Sequence, residues 1–175
     1  MITFNLNEAI NILERTPETV SSLLNGLPEP WIKSNEGENT WSPYDIIGHF
    51  IHGEKTDWMA RAKIILSTSN TKTFEPYDRF AQQREDQNRP ISELLNTFKI
   101  LRDQNLMTLK SLNLGVDELN KTGIHPELGV VTLQQLLSAW VVHDLAHLAQ
   151  INRVMAKQYA TNVGVWKAYM GILNQ

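Results

Sequence analysis

The sequence predicts an all-α fold, a four-helix bundle with a short C-terminal helix, occupying residues 1–175 as one domain. Three observations lead to this. Four long stretches repeat apolar residues at three- and four-residue steps. Recognisable cap and stop residues bound several of them. No stretch alternates apolar and polar residues between turn signals, so no strand is expected.

The first helix is read over residues 5–25, with Leu6, Ile10, Ile12, Leu13, Val20, Leu23 and Leu24 recurring at mixed three- and four-residue steps. Asn7 is the expected N-cap and Asn25-Gly26 the stop. Pro17 lies inside this window and kinks the helix or splits it in two. Residues 27–40 read as a loop. The second helix opens with Ser42 as cap, Pro43 at its first position and Asp45 in its first turn, and runs to about Leu66. Residues 74–89 are polar with three aromatics and suit an ordered connection with one helical turn. The third helix spans Pro90 or Ile91 to Leu112, and residues 115–131 form a loop. Thr132 and Gln135 make a capping box that opens the fourth helix, which reaches about Tyr159. Residues 162–173 suggest the short closing helix.

Composition narrows the function. Charged residues make up 20% of the chain and the net charge is −3, which gives no footprint for nucleic acid or an anionic membrane. No run approaches the roughly 18 apolar residues of a membrane span. The N-terminus has no secretory pattern, so a cytoplasmic location is expected. There is no cysteine, so any metal must sit on His, Asp or Glu, and no protein thiol can act as nucleophile.

The chain has five histidines. His143 and His147 stand four residues apart in the fourth helix, within the stripe that holds Leu136, Trp140, Gln150 and Ile151. This arc is about 100° wide and faces the core. Two imidazoles in such a place are half of a metal site, or each bonds a carbonyl or water in a partly wet core. On the second helix, His49 shares its face with the small residues Gly53, Thr56 and Ala60, which leave room for a cavity. Facing helices of a bundle commonly build metal sites, so His49 with His143 and His147 forms a reasonable triad for zinc, nickel or iron. His52 reads as an edge residue or a partner to a ligand, and His125 as a turn residue that can reach the rim. Asp57 and Glu54 can orient an imidazole or accept a proton, while Trp140 and Gln150 read as wall residues. Ile47, Ile51, Trp58 and Ile65 form a second apolar face on the second helix. It must meet a neighbouring element or a second subunit, so a homodimer is expected.

Trp41-Ser-Pro-Tyr-Asp-Ile-Ile-Gly-His49 resembles the start of the second helix in the DinB-like superfamily of four-helix-bundle proteins, and Val141-Val-His-Asp-Leu-Ala-His147 resembles that superfamily's last long helix. Phe74-Glu-Pro-Tyr-Asp-Arg79 and His125-Pro-Glu-Leu-Gly129 are similar to segments of one subgroup. The resemblance covers nearly the whole chain. It implies one divalent metal ion on His49, His143 and His147, a dimer, and relatives that include bacillithiol transferases. The expected function is that of a metal-dependent enzyme acting on a small-molecule substrate, by transfer of a low-molecular-weight thiol to an electrophile or by hydrolysis. The alternative is a non-enzymatic protein of a stress response that binds a metal or small ligand. No general acid or base is identified.

Overall fold

The computed structural model describes residues 3–85 and 88–174; residues 86 and 87 of the expected 74–89 connection and the first two residues of the chain lie outside it. Its bundle has four arms: α1 (Leu6–Leu13) with α2 (Thr16–Leu24), α4 (Pro43–Thr56) with α5 (Trp58–Leu66), α7 (Ile91–Ser111), and α9 (Leu133–Lys157). Short helices α3 (Glu29–Lys33), α6 (Gln82–Glu85) and α8 (Val116–Leu119) lie in the connections. Among the described residues no helix is long and apolar enough to cross a membrane.

Several boundaries differ from expectation for local reasons. The first cap is Asn5, not Asn7: the Asn5 side chain accepts the Glu8 amide at 3.1 Å. Pro17 has no N–H to give the Leu13 carbonyl, and the first arm divides there into α1 and α2. The second arm breaks at Asp57 (φ −109°, ψ −83°), although the sequence has no proline or glycine at that position. The loop at 27–40 contains α3. Residues 115–131 contain α8 and most of an antiparallel hairpin, β1 (Thr122–His125) with β2 (Gly129–Thr132). Strands of four residues are too short to show alternation, and their turn ends on Gly129 at φ +76°. The closing segment is two 3₁₀ turns, Gly164–Tyr169 and Gly171–Asn174, rather than one helix.

The core consists of two apolar clusters. One gathers Ile10, Leu13, Trp58, Ile65, Leu106 and Trp140, and the other Val20, Ile47, Ile51, Phe98 and Ile151. Every arm passes from one cluster to the other beside a buried polar residue: Thr16, Glu54, Arg102 and Asp144. Arg102 Nε donates to Glu54 at 2.8 Å, and Nη1 and Nη2 donate to Asp144 at 2.6 and 3.1 Å. Arg102 Nη1 also donates to the Leu13 carbonyl at 2.8 Å, the group that Pro17 leaves without a helical partner. The break at Asp57 assigns the two halves of the second arm, α4 and α5, to different clusters. Ile47, Ile51, Trp58 and Ile65 are therefore all buried within one chain, and the neighbouring element, not a second subunit, covers the second face.

The hairpin is sewn to the connection after α5. Phe74 N–H donates to the Ile124 carbonyl at 2.9 Å, and Ile124 N–H to the Lys72 carbonyl at 2.8 Å. Gly123 permits this approach, because a Cβ there would lie 2.6 Å from the Phe74 ring and 2.9 Å from the Ile65 side chain. Gly123→Ala is expected to cost about 1–3 kcal/mol through overpacking. Urea denaturation would show it; an unchanged midpoint would mean that the hairpin moves aside freely.

Candidate metal centre

His49 comes from α4 and the other two ligand candidates from α9. A capping box fixes the start of α4: Asp45 N–H donates to Ser42 Oγ at 3.2 Å, and Ser42 N–H to Asp45 at 2.9 Å. Thr132 and Gln135 do the same for α9. With both helices anchored, one ring nitrogen from each of His49, His143 and His147 lies within 4.8 Å of the others.

The outer nitrogens of two rings are held. Tyr77 Oη lies 3.1 Å from His49 Nδ1, and Gln150 Oε1 lies 2.8 Å from His147 Nδ1. An amide oxygen only accepts, so His147 Nδ1 carries the proton and its Nε2 keeps a lone pair. His143 Nδ1 is buried without a hydrogen-bond partner, with the Asp144 carboxylate 3.7 Å away. His49 Nε2 and His143 Nε2 are 2.9 Å apart. Two nitrogens each about 2.0–2.1 Å from one zinc-sized ion, at a right angle, have that separation. The donor set and its spacing therefore fit a divalent metal of the zinc, nickel or iron type.

Aromatic rings wall the site. The Trp41 ring centroid lies 4.7 Å from His49 and 5.9 Å from His147, and Trp58 lies 5.0 Å from His143. Burial, with His147 and His143 as neighbours, pushes the His49 pKa down to about 2; burial, with His143, pushes that of His147 down to about 4. Both rings are then neutral at pH 7, the form that binds metal.

A stability consequence follows for the metal-free protein. Unfolded histidines take up protons near pH 6.5. Folded His147 does so only near 4 and folded His49 near 2. Below pH 6.5 the unfolded chain thus binds more protons, and stability falls as pH falls, by about 1.4 kcal/mol per unit for each ring. Urea unfolding of metal-free protein is expected to show a loss of up to about 4 kcal/mol between pH 6.5 and 5. A flat profile would count against both neutral rings.

The three histidines open on a cavity of about 360 Å³. Of the small residues beside His49, Gly53 lines it: a Cβ there would lie 3.3 Å from Trp58 Nε1 and 3.9 Å from Tyr77 Oη. Thr56 is exposed instead and donates its hydroxyl to the His52 carbonyl at 2.8 Å. Asp57 lines the cavity with Arg61, 2.8 Å apart; burial raises the Asp57 pKa and Arg61 opposes it. His52 is buried outside the lining, its ring 5.2 Å from Tyr77 and its Nδ1 3.6 Å from Glu85. His125 reaches the rim. Trp140 lies one layer back, stacked on Trp58 at 5.7 Å. Tyr77, Arg61, Arg79 and Trp58 also line the cavity. Reading site residues from helix faces overlooks them, because a loop and the far side of a break deliver them. The Pro76-Tyr77 pair among polar neighbours is the signal that could have marked the loop.

No curated protein matches the sequence significantly. Among solved structures the fold is similar to that of YfiT from Bacillus subtilis, described as a probable metal-dependent hydrolase with an unusual four-helix bundle topology. The identity is 16%, the match covers 90% of this chain and 91% of that one, and the TM-score is 0.76. At that identity the likeness shows the fold alone. The model of the DinB superfamily matches residues 12–151, which include all three histidines. The chain belongs to the DinB superfamily.

Proposed function

We propose that this protein is a metal-dependent enzyme acting on a small molecule, with His49, His143 and His147 as the ligands of one divalent ion. The observation that carries this reading is that the three imidazoles face an open cavity rather than a closed shell. The bound ion would supply Lewis acidity, which lowers the pKa of a water or thiol at an open position into the neutral range. Gln150 and Tyr77 orient two of the rings, and Trp41 and Trp58 restrict water around them.

Two reactions share this arrangement. Hydrolysis is the description given to YfiT, whose fold is similar. Transfer of a low-molecular-weight thiol follows from the superfamily resemblance, and with no cysteine in the chain the thiol must be a cosubstrate. The reading extends to a homodimer, supported by a surface groove where Phe4, Ile12 and Val142 line up, and to a cytoplasmic setting.

The test begins with elemental analysis of protein purified without chelator or affinity tag, expected to give one ion per chain. Metal-loaded protein is then assayed for hydrolysis of model esters and for thiol consumption with model electrophiles. Equal rates in wild type and His143→Ala would sink the catalytic reading. Metal uptake that raises the melting temperature without turnover in either assay would favour the non-enzymatic alternative.

A further inference from the structure

We propose that the cavity takes a small organic anion, an oxyanion headgroup on an apolar body, and that Arg79 is the residue that selects its charge. This rests on the metal-dependent reading of the same site and names its substrate class.

Four charged side chains line the cavity: Asp57, Arg61, Arg79 and Glu127. Asp57 and Arg61 neutralise each other at 2.8 Å, and the Arg61 guanidinium is further held over the Phe74 ring at 5.2 Å. Arg79 is exposed at the mouth and has no ion pair or hydrogen bond among the described residues. The carboxylate next to it in sequence, Asp78, is already engaged by the Phe80 amide and by Arg84. Glu127 is the other exposed charge at the mouth and balances Arg79, so the four side chains sum to zero. A divalent ion on three neutral imidazoles then leaves the cavity with an excess positive charge.

The uncharged polar groups point to the same ligand. His125 Nδ1 accepts the amides of Glu127 and Leu128 at 3.1 and 3.2 Å, so the neutral ring carries its proton on Nε2 and offers a donor. Trp41, Trp58, Pro76 and Pro126 give the lining apolar surface. A volume of about 360 Å³ is at the small end of ligand pockets. The planar fork of a guanidinium matches a carboxylate or phosphate with two parallel hydrogen bonds. An anion seated on Arg79 would lay its apolar part along the tryptophans toward the histidines.

Calorimetry with phenylacetate, phenyl phosphate and the neutral phenylacetamide tests this on wild type and Arg79→Gln, each zinc-loaded and metal-free. Arg79→Gln is expected to weaken at least one anion about tenfold in both metal states. Zinc content and phenylacetamide binding should not change. The anion that shows the larger Arg79 dependence identifies the headgroup as carboxylate or phosphate. Equal anion affinity in wild type and variant would overturn the proposal, as would phenylacetamide binding as tightly as the anions. Absence of zinc uptake with the Arg79 dependence intact would strike the metal reading alone. Stoichiometric zinc without Arg79 dependence would strike this proposal alone.

Discussion

Arg102→Met is expected to destabilise the protein by about 3–5 kcal/mol, the usual cost of removing one partner from a buried ion pair. Arg102 is completely buried, and among the described residues its guanidinium is the one cation between Glu54 and Asp144. Burial raises the pKa of Glu54, against Arg102. Burial acts on Asp144 in the same sense, but there the attraction of the Arg102 charge, helped by hydrogen bonds, prevails and holds the carboxyl low. Methionine fills much of the volume but leaves two carboxyl groups facing each other in a dry layer. It also leaves the Leu13 carbonyl without its donor. Replacing Arg102, Glu54 and Asp144 together with apolar residues of similar size should recover most of the loss, because no orphaned charge remains. Urea unfolding of the single and triple variants would check both statements. A single variant within about 0.5 kcal/mol of wild type, the range of an ordinary surface substitution, would remove the argument.

The same cluster shows what could and could not be read from the chain. His143 and His147 were legible because helical periodicity alone puts them on the stripe with Trp140 and Ile151. His49 was legible because Ser42, Pro43 and Asp45 set the phase of its helix. Periodicity fails where the helix stops being regular. The break at Asp57 has no local marker, and beyond it Asp57, Trp58 and Arg61 line the cavity that Gly53 also reaches, while Thr56 is exposed. The second apolar face read on this helix has the same origin: it belongs to an unbroken helix, whereas here it is buried within the chain. Arg102 reads as an ordinary charged helix residue, since nothing near it in sequence shows that Glu54 and Asp144 converge on it from two other arms. Tyr77 and Arg79 depend on a loop held by backbone pairing with the hairpin, a contact between segments roughly 50 residues apart.

His147→Ala should weaken zinc binding by about 100-fold or more. Four-ligand structural zinc sites have apparent binding free energies of about 10–16 kcal/mol, or about 3 kcal/mol per ligand, and the proposed centre draws on three histidines among the described residues. Gln150→Leu is expected to do less, about 10–100-fold, because it removes only the group that sets the tautomer and angle of the His147 ring. His125→Ala serves as the control: its ring lies at the rim, its Nδ1 caps the hairpin turn, and it should leave zinc affinity unchanged. Competition against a chromophoric chelator gives the three affinities directly, and thermal stability reports them independently. Zinc at 100 times the wild-type Kd adds about 2.7 kcal/mol to the folded state. In His147→Ala the same concentration merely equals the weakened Kd and adds about 0.4 kcal/mol. If His147→Ala kept wild-type zinc affinity, His147 would not be a ligand and the ion would have to sit elsewhere.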